Sequence, residues 1–294
     1  MGKIAVLGAT GNYGGKAIDY LIERDVSPSD IIAIYRNEEK ALPLKDRGIE
    51  IRYGDYTKDT FTPAVFEGAE KLLFVSSSTW TEFERIQEHL VVLDCARKAG
   101  IKHIVYTSMA NPEKSTFNHE QTHCATEWAI KATKIPYTIL RNTFYLQFFV
   151  VQKDLKRWVD SGIFYSLSQG KKINLVTRDD MAKAAAVVLT TEGHLNKTYT
   201  ITAPKAYTYE DICHDLAEVS GKKIEYVETT EKDYVAYLTK LGVPEKFQRW
   251  DTGYASLGYS SGWAEIESPD LANLIGEENI TTPRKLIEAM DFSN

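Results

Sequence analysis

The chain has 294 residues, 43% of them hydrophobic, with 35 Lys and Arg against 41 Asp and Glu. That is enough apolar material for a large core, which excludes a disordered or fibrous chain, and the slightly acidic balance, with no block of five like charges, leaves no footprint for nucleic acid. Cys95, Cys124 and Cys213 lie far apart without C-x-x-C spacing and read as reduced thiols of a cytoplasmic protein.

The opening MGKIAVLGAT enters a strand-like run at once, without the layout of a signal peptide. Val6 stands where a myristoylation motif wants Ser or Thr. The longest apolar stretch, around FYLQFFVV, is far short of a membrane span, so no membrane contact is expected. Strands are expected at 4–7, 31–35, 49–53, 71–75, 103–107 and 137–140, with helices at 13–24, 82–99 and 120–133 between them. Such alternation predicts an α/β fold, a Rossmann-like doubly wound parallel sheet covered on both faces. Gly100 reads as a helix C-cap, and Pro136 breaks the chain before the sixth strand. Beyond Asn142 the pattern loosens. Thr177 and Thr208 each open a capped helix, the second ending at Ser220-Gly221. The segment 245–269, rich in Gly, Ser and aromatics, has weak periodicity and is assigned to a small lobe over the sheet. The expected division is a dinucleotide-binding domain over 1–150, joined by a returning segment near 173–203, and a smaller C-terminal α/β substrate lobe over 151–294.

GATGNYGG directly follows the first strand and opens the first helix, and Gly8, Gly11 and Gly14 form G-x-x-G-x-x-G. Glycine permits the tight turn and the close approach of backbone N–H groups to a pyrophosphate at the helix N-terminus. Gly8, Thr10, Gly11, Asn12, Tyr13 and Gly14 are therefore expected to hold a dinucleotide. Arg36, 22 residues past Gly14, ends the second strand where an NAD site usually keeps an acid. An arginine there suits a 2′-phosphate, so the expected cofactor is NADP(H). At the carboxyl ends of the next strands, Asp55 and Tyr56 are placed to meet the adenine and Ser76, Ser77 and Ser78 to run along the sugars; Thr107 and Ser108 follow on the fifth strand.

HEQTH, from His119 to His123, matches the His-Glu-x-x-His string of zinc peptidases. Such a site needs a third ligand, but 128–153 contains no Asp, Glu or His. Glu127 lies about 12 Å along the helix from His119, too far to share a metal. No metal site is expected here.

GATGNYG, AIYRN, KLLFVSSS, HIVYTS, HCATEWAI and PYTILRN, in this order, resemble the NmrA-like atypical short-chain dehydrogenase/reductases, within them the branch of quinone oxidoreductases of type 2 and triphenylmethane reductases. The likeness continues through VTRDDMAKAAAVVLTTEGHLNKTY, EVSGKK and GVPEKF. It implies a reductase that uses NADPH and passes hydride to small aromatic acceptors, quinones or triphenylmethane and azo dyes, in a cleft between the two domains; a homodimer is an allowed assembly. The turn after the sixth strand, here Arg141 and Asn142, then approaches the nicotinamide, followed by Phe144 and Tyr145. Ordinary members of the superfamily carry Tyr-x-x-x-Lys at the start of the helix after the fifth strand. Counting back from Glu127, those positions are His119 and His123, so the usual acid/base pair is missing. An alcohol dehydrogenase or sugar epimerase needs that proton donor; a quinone yields a weak base and a triarylmethyl cation needs no proton. His123, with an imidazole near its ordinary pKa of about 6.5, is expected to contact the nicotinamide ribose or help protonate product, together with Tyr145. Trp80, Phe144 and Tyr145 are expected to stack on a flat acceptor. The alternative is an NADP(H)-binding regulator without turnover, which would use the same cofactor residues.

Overall fold

In the computed structural model, which describes residues 2–115, 119–256 and 262–292, seven parallel strands form one sheet. In chain order the strands are β1 (Lys3–Val6), β2 (Ile31–Tyr35), β3 (Glu50–Tyr53), β4 (Ala69–Phe74), β5 (His103–Met109), β6 (Tyr137–Asn142), β7 (Phe144–Tyr145), β8 (Ile163–Ser166), β9 (Leu175–Val176), β10 (Lys197–Ile201) and β11 (Glu225–Glu228). The helices are α1 (Asn12–Glu23), α2 (Glu38–Asp46), α3 (Glu82–Lys98), α4 (Glu120–Thr133), α5 (Gln152–Ser161), α6 (Arg178–Thr190), α7 (Tyr209–Ser220), α8 (Glu231–Lys240), α9 (Glu245–Ala255), α10 (Asp270–Ile275) and α11 (Pro283–Glu288).

The large sheet runs β10-β6-β5-β4-β1-β2-β3. Its central strands are apolar on both faces because helices cover both. On one side α1 and α6 close over Ile4, Val6, Ala17, Ile18, Leu21, Met181 and Val188; on the other α3 and α4 close over Ala5, Leu7, Leu72, Phe74, Val92 and Ile130. The strand order reverses between β1 and β4, so the loops leaving those two strands splay apart and open a crevice at the carboxyl edge of the sheet. A smaller layer stands over that edge. The parallel pair β8–β11 and the short pair β7–β9 pack there with α5, α7 and α11 around Leu155, Trp158, Phe164, Ile212 and Trp263.

The expected helix over 120–133 matches α4, and the Thr177 and Thr208 caps are formed, the latter as a capping box closed at Gly221. Gly100 adopts φ +77°, the left-handed C-cap geometry. Several features differ from expectation. The sixth strand continues to Asn142 because Arg141 and Asn142 stay in register with Ser108 and Met109. α2 was not expected. Asn37 caps it by accepting from the Lys40 N–H, and Pro43 is exposed, so the carbonyl it leaves unbonded faces water. The loosely patterned 245–269 segment contains α9, while 257–261 lies outside the described residues.

Candidate active site

The crevice contains two cavities that join. The first, about 500 Å³, runs over the glycine loop. Gly8 has φ +65°, and a Cβ on Gly14 would sit 2.8 Å from the Gly8 carbonyl carbon, so this strand-to-helix turn exists only with glycine at both places. No side chain caps α1 at Gly11, which leaves its first N–H groups facing the cavity as an anion site. Gly54 does similar work after β3, where a Cβ would meet Ile34 Cγ2 at 2.7 Å. Thr10, Gly11, Asn12, Tyr13 and Gly14 all line this cavity, with Arg36 and Tyr56 at its far end. The Arg36 guanidinium stands 5.6 Å over the Tyr56 ring. Lys40 and Arg178 add two more cations, and no carboxylate is among the described residues of the lining. The Tyr13 hydroxyl is buried and donates to the Met181 carbonyl at 3.0 Å; burial pushes its pKa far up.

The second cavity, about 340 Å³, shares Val75, Ser76 and Ser78 with the first. Its walls are aromatic. Phe144, Tyr145 and Phe148 come from the run leaving the sheet, Trp263 from the segment over it, and Trp80 from the loop after β4. Phe144 and Trp263 lie 5.2 Å apart between centroids, and Trp80 meets the His119 ring edge-on at 4.7 Å. Arg178, at the first turn of α6, lines the first cavity and packs on two rings of the second: its guanidinium is 4.3 Å from the Tyr145 ring centroid and 4.5 Å from that of Phe148.

The imidazoles around this chamber are held neutral. Ser77 N–H donates to His89 Nε2 at 3.1 Å, so the His89 proton sits on Nδ1, 2.7 Å from the Thr126 hydroxyl, which donates in turn to the Thr122 carbonyl. Burial, reinforced by Arg85, depresses the His89 pKa to about 3. His123 Nδ1 is 2.9 Å from the Tyr106 hydroxyl. In place of an imidazole near 6.5, burial and then Arg85 hold His123 well below that value, so at neutral pH it is an uncharged ring that offers a hydrogen bond and no acidic proton. His119, in the left-handed region with φ +70°, is lowered by the same two causes. The two histidines of HEQTH thus turn to different partners, and among the described residues no three His, Cys, Asp or Glu side chains are placed to hold a metal ion.

Other expected site residues are engaged with the protein. Asp55 accepts from the Thr57 backbone and hydroxyl and pairs with Lys58, shaping the turn after β3. Thr107 accepts from Ser76 N–H at 2.9 Å and so fixes the loop after β4. The hydroxyl of Ser77 donates to Glu88, and that of Ser108 to Glu127. Arg141 directs its guanidinium at Glu127, at 3.0 and 2.8 Å, and at Glu113. Asn142, its neighbour, lines the chamber with its buried carboxamide beside the Tyr13 hydroxyl. Lys40, Arg85, Arg178 and Trp263 were not expected. A cation within four residues of the second strand tip is the one signal that pointed to any of them, at Lys40.

The family model of the NmrA-like family matches residues 1–253. The chain belongs to the NmrA-like family. Its relatives in the family include quinone oxidoreductase 2 of Escherichia coli (strain K12), 32% identical over 291 residues that cover 99% of this chain and 100% of that one. The NAD(P)H azoreductase of Xenophilus azovorans is 25% identical over 243 residues, 82% of each chain. Among solved structures, Citrobacter sp. triphenylmethane reductase complexed with NADP(H) superposes with a TM-score of 0.90 at 40% identity, covering 97% of this chain and 98% of that one. Among the described residues, no helix is long and apolar enough to cross a membrane.

Proposed function

We propose that this chain is an NADPH-dependent reductase that passes hydride directly to flat aromatic acceptors of the quinone or dye kind, without a Tyr-Lys proton relay. It is an NAD(P)H-dependent oxidoreductase, and NADP(H) is its cofactor. The observation that carries the reading is the continuity of a glycine-floored, cation-lined groove with an aromatic chamber through Val75, Ser76 and Ser78. The residues fit the cofactor. Gly14 and Gly54 leave room that any Cβ would fill, the free N–H groups of α1 suit a pyrophosphate, and Arg36 with Lys40 suits a 2′-phosphate. The carboxamide of Asn142, in the chamber wall beside Tyr13, carries both a donor and an acceptor, which suits the nicotinamide amide.

Bound NADPH supplies a hydride. The protein then has to position the acceptor, keep water off it and tolerate the charge that results. Trp80, Phe144, Tyr145 and Phe148 give a flat slot for ring systems. With His119 and His123 uncharged, the chamber offers no imidazolium acid. That favours acceptors whose reduced form is a weak base protonated by water, or a neutral carbon that needs no proton. The relatives named for quinones, azo compounds and triphenylmethane dyes support the same acceptor class. The reading keeps 1–150, with the returning 173–203, as the cofactor-binding domain and 151–294 as the lobe that closes over the acceptor, working in the cytoplasm, where the free thiols Cys95, Cys124 and Cys213 stay reduced. Steady-state NADPH oxidation against a panel of quinones, triphenylmethane dyes and azo dyes tests it. Turnover with members of the panel is expected. Tight NADPH binding with no turnover across the panel would replace the reductase by a regulator.

A further inference from the structure

The acceptor chamber carries a cation and no anion. Arg85, from the first turn of α3, lines it, and no Asp or Glu is among the described residues that do so. Arg85 Nη2 donates to the Ser76 hydroxyl at 2.7 Å, which holds the guanidinium where the cofactor groove meets the chamber. Its Nε is buried and has no hydrogen-bond partner. The acids one turn either side of it on the same helix hydrogen-bond elsewhere: Glu88 accepts from the Ser77 and Thr79 hydroxyls, and Glu82 from Gln121 N–H. A half-buried guanidinium stays charged; Glu88 favours that charge from a distance, and no salt bridge to Arg85 is formed among the described residues, so the side facing the chamber is open to an anion. Its charge is felt by the imidazoles beside it, since after burial it helps to depress His89, His119 and His123. The polar residues His119, Asn142 and Trp263 line the same chamber as Arg85, and none of them brings a negative charge.

We infer that Arg85 binds the acceptor oxygen on which negative charge develops, and that the chamber thereby selects neutral carbonyl acceptors, quinones foremost, over cationic dyes. The inference rests on the reductase reading above. In quinone reduction a C–H bond of the dihydronicotinamide breaks, its electron pair goes with the hydrogen to the quinone, and a carbonyl π pair moves onto oxygen. The quinone gains two electrons as the hydroquinone monoanion, which takes one proton from water. The Arg85 N–H groups meet that oxygen as its charge grows, the situation in which a fixed donor is worth most. A triarylmethyl cation instead accepts hydride at carbon and leaves as a neutral molecule. It creates no anion for Arg85 to hold, and it must first bring its own positive charge beside the guanidinium.

The test compares wild type with Arg85→Met and Arg85→Lys, using a neutral naphthoquinone, a cationic triphenylmethane dye and NADPH titrations. In Arg85→Met, kcat/KM for the quinone should fall by about 10²-fold, while the dye loses nothing and gains through a lower KM. NADPH affinity should hold, and Arg85→Lys should recover part of the quinone rate. Equal losses for both acceptors, or a loss explained by NADPH affinity, would overturn the inference in favour of a structural or cofactor-holding arginine. A second measurement does not need turnover. 4-Nitrophenol bound to the NADP⁺ complex is titrated by absorbance, and wild type should lower its pKa by about 1 unit or more, a shift lost in Arg85→Met. A phenolate that binds the two proteins equally well refutes the contact. A protein that oxidises no NADPH yet still shows this Arg85-dependent shift loses the reductase reading and keeps the anion site; undiminished quinone reduction by Arg85→Met does the reverse.

Discussion

Replacing Arg36 by alanine should remove most of the preference for NADPH over NADH. Arg36 sits at the end of β2, held over the Tyr56 ring at 5.6 Å, and lines the groove with Lys40 four residues on. A charge-assisted hydrogen bond to a phosphate contributes about 1.5–3 kcal/mol. Both side chains are exposed, so solvent screening trims the share of Arg36 to about 1–2 kcal/mol. At 1.4 kcal/mol per decade, this is about 5- to 25-fold in NADPH dissociation constant. NADH lacks the 2′-phosphate and should bind the variant as it binds wild type. Fluorescence titrations of both nucleotides give the ratio directly. Raising the salt concentration should erode the wild-type preference more steeply than that of the variant, which keeps Lys40. Arg36→Ala/Lys40→Ala should lower NADPH affinity further. Equal weakening of NADPH and NADH by Arg36→Ala would refute the reasoning, since it would mean that the arginine merely props Tyr56 against the adenine.

Two further outcomes follow from the buried polar groups. Arg141→Met leaves Glu127, 3% exposed, without its ion-pair partner; the variant should lose about 3–5 kcal/mol in urea unfolding, with NADPH affinity unchanged in the folded protein. Intact stability with lost NADPH affinity would instead make Arg141 a cofactor ligand. Burial lowers His89 to about 3 and His103 to about 4, in the latter case helped by Lys71. Unfolded, both titrate near 6.5, so the unfolded chain binds more protons below that pH. Their contribution is complete above pH 6.5 and is lost as pH falls toward 4. The urea midpoint should therefore drop between pH 7 and pH 5; a constant midpoint over that range would show that the two rings are not held neutral.

The glycine loop and the helix caps were legible because each depends on neighbours in sequence: Gly14 must face the Gly8 carbonyl six residues back, and Thr208 must reach Asp211 three residues on. The aromatic walls at Phe144 and Tyr145 were legible because strand ends of a parallel sheet point to one edge. Arg85 was not. It lies on a helix whose exposed face is full of charge, and only the meeting of the loops after β4 and β6 decides that this one guanidinium faces a chamber. Trp263 was hidden for a related reason, since its segment has only weak periodicity and the ring's place is set by contact with Phe144. HEQTH misleads when read alone because spacing says which residues share a helix face and nothing of what each ring meets. His123 is spent on Tyr106 and His119 on Trp80.

The central claim is that NADPH bound in the glycine-floored groove reduces an acceptor in the adjoining chamber by direct hydride transfer. Rapid mixing of the preformed NADPH complex with a neutral quinone, under single-turnover conditions, measures that step most directly. The account predicts loss of the bound-NADPH absorbance in one phase, slowed when deuterium replaces the transferred hydrogen at nicotinamide C4. Bound NADPH that persists unoxidised with every quinone and dye offered would contradict it.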